Sequence, residues 1–183
     1  MTPMKLVILD RDGVINVDSD KYIKSPAEWQ PIPGSIEAIA RLHQGGFRVV
    51  VATNQSGIGR GLFDMSTFNA MNDKMMEMVF RQGGRIDALF FCPHTDAENC
   101  SCRKPRTGMF EEIAARYHME LKGVPCVGDA IRDLQAAEAV GGQPILVLTG
   151  KGRQTKEDER LPRRTLVFAD LAEVSRHLVA AGE

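Results

Sequence analysis

The chain has 183 residues, of which 43% are hydrophobic and 26% are charged, and its formal net charge is −1. This length suits one domain with a sizeable core and is too short for two ordinary domains, so we predict a single domain over residues 1–183. The near-neutral charge argues against nucleic acid as a partner, and no apolar run approaches the length of a membrane span. We expect a cytoplasmic protein, and we predict a monomer.

Apolar, strand-like runs alternate with amphipathic segments along most of the chain. The predicted strands are, in order, 6–9, 47–54, 86–92, 124–129 and 144–150. The predicted helices begin near Ser35, Phe68, Phe110, Asp133 and Leu171. Such alternation predicts an α/β fold, a Rossmann-like three-layer sandwich with a mostly parallel sheet between two layers of helices.

Polar side chains follow the predicted strands at the points where the strands end. In a parallel sheet these ends meet at one edge, and the ligand crevice lies beyond that edge. The side chains placed there are those of Asp10, Asp12, Thr53, Asn54, Lys104 and Asp129. Asp10 and Asp12 alone would indicate a turn, but their coincidence with the other strand ends favours a functional site.

Carboxylates, a hydroxyl and a lysine at one edge suit a magnesium and phosphate site. Mg²⁺ usually takes one or two carboxylates together with waters and substrate phosphates, and Asp10 and Asp129 could supply them. Lys104 would add a point charge beside the phosphate. A carboxylate placed as Asp10 is can attack phosphorus. A second acid two residues on, Asp12, can protonate the leaving oxygen and later activate water.

A cysteine-rich loop precedes Lys104. It spaces Cys92, His94, Cys100 and Cys102 as C-x-H-x5-C-x-C. Three thiolates and an imidazole would form a closed tetrahedral set, which suits structural zinc and leaves no open position for catalysis. The spacing is not that of a common zinc finger, so the spacing alone is compatible with zinc and with free thiols alike.

Four motifs, in order along nearly the whole chain, resemble the haloacid dehalogenase (HAD) superfamily of phosphatases. They are DRDGVIN at 10–16, ATNQSG at 52–57, CRKP at 102–105 and GDAIRD at 128–133. Together with the cysteine loop, they are similar more narrowly to phosphatases of heptose bisphosphates. The resemblance implies a HAD-like fold, and because no segment is long enough for an inserted cap domain, we expect a minimal cap.

The resemblance also implies roles for individual residues. It implies Asp10 as nucleophile, Asp12 as general acid and base, and Thr53 and Lys104 as phosphoryl stabilisers. Mg²⁺ would be held by Asp10, Asp129 and the backbone carbonyl of Asp12, and structural Zn²⁺ by the four ligands of the loop 92–104. The residues that would bind the rest of the substrate are Asp18, Ser19, Asp20, Lys21, Tyr22, Asn54, Gln55, Ser56 and Arg103.

The implied reaction is hydrolysis of the 7-phosphate of D-glycero-D-manno-heptose 1,7-bisphosphate through an aspartyl-phosphate, a step toward ADP-heptose for the lipopolysaccharide core. In an extended segment, Arg103 and Lys104 would point opposite ways, so Arg103 could bind a second phosphate. Histidinol phosphate, the substrate of a relative that shares these motifs, is the alternative. A zinc-centred binding module is the non-enzymatic alternative, and it leaves the carboxylates and Lys104 unexplained.

Two positions in the fourth motif leave the details open. Ala130 stands where heptose phosphatases often carry a lysine, so one pocket lysine is missing here. Asp133 could contact a metal-bound water or form a salt bridge to a lysine or arginine at the start of its helix.

Overall fold

The computed structural model describes residues 4–182, so residues 1–3 and 183 of the predicted domain lie outside the described range. Its strands are β1 (Lys5–Leu9), β2 (Phe47–Asn54), β3 (Ala88–Cys92), β4 (Pro125–Gly128), β5 (Gln143–Val147) and β6 (Leu166–Phe168). They form one sheet in the order β3-β2-β1-β4-β5-β6, and every neighbouring pair is parallel. The predicted α/β fold is confirmed.

Helices cover both faces of this sheet. They are α1 (Ser35–Gln44), α2 (Ser56–Gly59), α3 (Met65–Arg81), α4 (Gly108–Tyr117), α5 (Ile131–Ala139), α6 (Gly152–Lys156) and α7 (Leu171–Ala181). Val7 and Leu9 of β1 pack in a core with α1, α3 and α7, whereas Leu6 and Ile8 pack in a second core with α4 and α5. Because successive side chains of a strand point to opposite faces, both faces of β1 must be apolar, as its sequence is.

Two short elements near the C-terminus were not predicted from the sequence. The strand β6 has three residues at the edge of the sheet, and its Leu166 and Val167 are exposed. The helix α6 has five residues, little more than one turn. Neither is long enough to show a periodic pattern, and β6 is held by its pairing with β5.

The order of the strands brings the predicted site residues together. The strand β1 lies between β2 and β4, so the residues that follow these three strands are neighbours at one edge. The long segment between β1 and α1 crosses this edge, and within it the described residues form only isolated bridges, Asp12 to Asn16 and Asn16 to Pro31. Between residues 4 and 182, no helix has the length and apolar composition needed to cross a membrane.

Candidate active site

A crevice lies at this edge of the sheet. The residues that line it are Asp10, Asp12, Asp18, Ser19, Asp20, Tyr22, Ile23, Asn54, Gln55, Ser56, Arg103, Arg132 and Lys151. Most of the residues predicted to bind substrate are among them. Lys21 is not: its side chain is exposed and lines a neighbouring depression together with Lys24 and Glu28.

Lys104 occupies a buried position between two carboxylates. Its Nζ lies 3.1 Å from Oδ1 of Asp10 and 2.7 Å from Oδ1 of Asp133, and it donates a hydrogen bond to the carbonyl oxygen of Ala52 at 2.7 Å. Burial alone would lower the pKa of Lys104, but the two carboxylates raise it above its ordinary value. The ammonium is therefore charged, and the salt bridge is one of the two contacts expected for Asp133.

Asp10, Asp129 and Asp133 form a buried cluster in which one oxygen of each lies within 4.8 Å of the others. Burial, followed by repulsion from Asp133, raises the pKa of Asp10 to about 7. The same two causes, with repulsion from Asp10, raise the pKa of Asp129 to about 8. The charge of Lys104 alone therefore does not neutralise the negative charge of these carboxylates. An oxygen-rich site with excess negative charge fits Mg²⁺.

The backbone wraps closely around the carboxylate of Asp129. A Cβ atom on Gly13 would lie 2.1 Å from Oδ2 of Asp129, and one on Gly150 would lie 2.2 Å from it. The backbone N–H of Lys151 donates to the same oxygen at 2.8 Å. Both glycines also have positive φ, at 86° and 55°. These contacts orient the Asp129 carboxylate and leave no room for a side chain at either glycine.

Asp12 differs sharply from Asp10 in its surroundings. Its carboxylate accepts hydrogen bonds from Nε of Arg11 at 3.1 Å and from the side-chain amides of Asn16 and Gln55, each at 2.9 Å. Burial would raise the pKa of Asp12, but Arg11 and these two amides together lower it below its ordinary value. Two carboxylates whose pKa values are pushed apart are typical of sites that divide nucleophilic and acid-base roles.

Gln55 links two of the predicted catalytic residues. Its Nε2 donates to Oδ2 of Asp12 and also to Oγ1 of Thr53, both at 2.9 Å. Thr53 itself is buried at the end of β2. Gln55 was predicted to line the pocket, and it does, but it also orients the acid and the hydroxyl beside it.

Arg103 and Lys104 diverge as expected, although not for the expected reason. The segment is a turn rather than extended chain, because the N–H of Arg106 donates to the carbonyl oxygen of Arg103 at 2.9 Å. Lys104 points into the buried carboxylate cluster, whereas Arg103 lines the crevice and forms a salt bridge to Asp96. The two cations can therefore contact different parts of one ligand.

The predicted zinc ligands also converge. Sγ of Cys102 lies 2.7 Å from Sγ of Cys92 and 3.6 Å from Sγ of Cys100, and Nδ1 of His94 lies 3.2 Å from Sγ of Cys102. One ligand atom from each of the four residues lies within 4.8 Å of the others, and the cysteines are free thiols. Four such ligands around a common point fit a tetrahedral metal ion.

Two cations of the crevice were missed by the sequence analysis, Arg132 and Lys151. Lys151 follows the end of β5, and the rule that ligands bind beyond the ends of parallel strands applies to this strand as it does to the others. Arg132 stands inside the GDAIRD motif, between Asp129 and Asp133. Its position on the first turn of α5 is what brings it to the crevice.

Comparison with known proteins gives three kinds of match. A HAD-hydrolase-like family profile matches residues 101–174. The D-glycero-β-D-manno-heptose-1,7-bisphosphate 7-phosphatase of Bordetella bronchiseptica is 55% identical over 96% of this chain and 98% of its own length. That of Pseudomonas putida is 53% identical over 96% and 100%. A crystal structure of the B. bronchiseptica phosphatase with magnesium and phosphate superimposes with a TM-score of 0.96, at 54% identity over 97% of this chain and 99% of that one.

Proposed function

Because this chain belongs to the D-glycero-β-D-manno-heptose-1,7-bisphosphate 7-phosphatases of the HAD superfamily, we propose that it removes the 7-phosphate of that heptose bisphosphate with Asp10 as nucleophile. It is a phosphoric monoester hydrolase of heptose metabolism, and the reaction serves lipopolysaccharide core synthesis. The B. bronchiseptica and P. putida relatives are named for the β anomer, and we expect the same anomer to be the substrate here.

One observation supports the chemistry above the others. The Lys104 ammonium lies 3.1 Å from the Asp10 carboxylate, at the end of the central strand β1 and beside the Asp129 carboxylate. A nucleophile, a fixed positive charge and a metal-binding carboxylate at one point are what phosphoryl transfer requires. A binding module would have no need of this arrangement.

The proposed reaction has two steps. An Asp10 oxygen bonds to phosphorus as the bond from phosphorus to the sugar oxygen breaks, and Asp12 gives its proton to that leaving oxygen. A water oxygen then bonds to phosphorus, its proton passes to Asp12, and the bond to Asp10 breaks to release inorganic phosphate. Asp12 needs a proton for the first step, and the charge of a bound phosphate dianion raises its proton affinity. Thr53 and Lys104 would hold the phosphoryl oxygens throughout.

Two metal ions belong to this proposal. Mg²⁺, held by Asp10, Asp129 and the backbone carbonyl of Asp12, supplies positive charge that neutralises the phosphoryl group when it is bound. Zn²⁺ on Cys92, His94, Cys100 and Cys102 would be structural, since its four protein ligands leave no site for water. It would stiffen the loop that carries Arg103 and Lys104.

An assay of phosphate release tests the substrate and the nucleophile together. Wild-type enzyme with Mg²⁺ should hydrolyse heptose 1,7-bisphosphate with a higher kcat/KM than histidinol phosphate or simple sugar monophosphates. Asp10→Asn should keep its circular dichroism spectrum and lose nearly all activity, because an amide cannot form the phosphoryl-enzyme. Faster turnover of histidinol phosphate would contradict the substrate, and an active Asp10→Asn would contradict the mechanism.

A further inference from the structure

Arg132 lines the crevice, and its guanidinium has no ion-pair partner among residues 4–182. Three cationic side chains line the crevice, and two of them form ion pairs: Arg103 with Asp96, and Lys151 with Asp18 at 3.7 Å. The guanidinium of Arg132 has no ion pair within 4.0 Å in the described chain, and its buried Nε has no hydrogen-bond partner. A buried donor without a partner is rare in folded proteins, and in a substrate crevice it indicates a group that pairs with the ligand.

Arg132 lines the crevice and interacts electrostatically with carboxylates of the buried cluster and with Asp96. Burial would lower its pKa, but the carboxylates of Asp133, Asp10, Asp129 and Asp18 raise it, so the group is permanently charged. Arg103 lowers the pKa of Asp96 most, and the charge of Arg132 lowers it further. The charge of Arg132 therefore acts on the same carboxylate that pairs with Arg103, and both cations line the crevice.

The transferring phosphoryl group already has partners in Lys104, Thr53 and the metal site. A second phosphate on the same substrate would have Arg103 as its partner in the crevice. Arg103 comes from the loop after the cysteine cluster and Arg132 from the first turn of α5, so the two approach from different elements. Two planar guanidinium groups would match the charge of one phosphate dianion and offer it paired N–H donors.

We propose that Arg132 determines substrate specificity together with Arg103, by binding the phosphate of the bisphosphate substrate that is not transferred. This rests on the proposed function of the crevice as a heptose bisphosphate phosphatase site. On this view, Arg132 contributes to kcat/KM when the substrate carries two phosphates and contributes little when it carries one.

The test compares Arg132→Ala, Arg132→Lys, Arg103→Ala and the Arg103/Arg132 double alanine variant on two substrates, heptose 1,7-bisphosphate and p-nitrophenyl phosphate. Arg132→Ala should lower kcat/KM for the bisphosphate by roughly 10- to 100-fold, the loss of one charge-assisted contact, and change the monophosphate by less than about threefold. Arg132→Lys should recover part of the loss. The double variant should lose less than the product of the single losses, because both residues bind one group.

Arg153→Ala is the matched control, since Arg153 is exposed on α6 and outside the crevice. Equal losses on both substrates in Arg132→Ala would mean that Arg132 supports the carboxylate cluster or the transferring phosphoryl group, and would overturn the proposal. An Arg132→Ala variant with the wild-type kcat/KM for the bisphosphate would also overturn the proposal. In that case the proposed function would still stand if the wild-type enzyme prefers the bisphosphate to the monophosphate. A wild-type enzyme without that preference would overturn both.

Discussion

The side-chain amide of Asn54 exchanges two hydrogen bonds with the backbone of Lys104. The N–H of Lys104 donates to Oδ1 of Asn54 at 3.0 Å, and Nδ2 of Asn54 donates to the carbonyl oxygen of Lys104 at 3.1 Å. The exchange ties the loop after the cysteine cluster to the end of β2. It thereby sets the position from which the Lys104 ammonium reaches Asp10.

Asn54→Ala should therefore lower kcat even though Asn54 is not required for the chemistry itself. Removing both bonds lets the backbone of Lys104 shift, and a displacement of about 1 Å at a charge beside the reacting group can cost on the order of 10- to 100-fold in rate. Steady-state phosphate release measures the effect. Asn69→Ala, an exposed asparagine on α3, should behave as wild type. A wild-type kcat in a folded Asn54→Ala would mean that Lys104 is positioned without this bond pair.

Comparing Gly13→Ala with Gly46→Ala distinguishes the effect of backbone strain from the effect of a steric clash with the Asp129 carboxylate. Both glycines have φ of 86°, but a Cβ on Gly46 would have nothing within 4 Å, whereas one on Gly13 would meet the Asp129 carboxylate. Each substitution should lower the free energy of unfolding by about 1–2 kcal/mol from the left-handed conformation alone. Only Gly13→Ala should also lose Mg²⁺ binding and activity, as measured by titration calorimetry and phosphate release. Equal activity in the two variants would show that the Asp129 carboxylate can move aside.

Stability without magnesium should fall as the pH rises. The pKa of Asp10 is about 7 and that of Asp129 about 8 in the folded chain, against 3.8 for an ordinary Asp. The folded chain therefore binds more protons than the unfolded chain between these values, and it loses stability as the pH rises through that window. Mg²⁺ must replace those protons, so its stabilising effect should grow over the same range.

Melting temperatures with and without Mg²⁺, at about pH 6 and about pH 8.5, measure this effect. The increase caused by Mg²⁺ should be larger at the higher pH, and in Asp129→Asn it should be small at both. An equal increase at both pH values in the wild type would mean that the carboxylates are already ionised without the metal.

The convergence of the residues proposed to be catalytic could be predicted because their position depends on strand ends, which local pattern reveals. Apolar runs fill most of β1 and β4 and residues 49–52 of β2, so Asp10, Thr53 and Asp129 stand out as the first polar groups after these runs. Parallel pairing brings those groups to one edge, and the position of β1 between β2 and β4 makes them neighbours there. The sequence predicted the shared edge, whereas the order of the strands comes from the structure.

The missed features depend on tertiary contacts that no local pattern encodes. Arg132 reaches the crevice because of the direction in which α5 leaves β4. A salt bridge was expected for Asp133, but its partner, Lys104, is brought to it by a loop distant in sequence. Lys21 lies outside the crevice, in an irregular loop that turns at Ser19–Tyr22, where the N–H of Tyr22 donates to the carbonyl oxygen of Ser19. In a segment without periodicity, a single turn decides which side chains face the ligand.

The cysteine cluster yields the last prediction, on metal content. Purified protein should contain about one zinc per chain by elemental analysis, because the four ligands form one closed site. Cys100→Ser should contain much less zinc and melt at a lower temperature, since a hydroxyl is a poor zinc ligand and the loop has few apolar contacts to replace the metal. Its kcat/KM should also fall, because the loop leads directly to Arg103 and Lys104.

Cys126→Ser is the control for loss of a thiol as such. Cys126 is buried in β4 and outside the cluster, so its replacement should cost stability through a buried hydroxyl and leave the zinc content unchanged. Comparing the two variants distinguishes a metal site from ordinary packing, because only the former links the melting temperature to zinc content. Zinc-free wild-type protein, or undiminished zinc in Cys100→Ser, would rule out the assigned ligands and leave the four side chains as a cluster of free thiols and an imidazole.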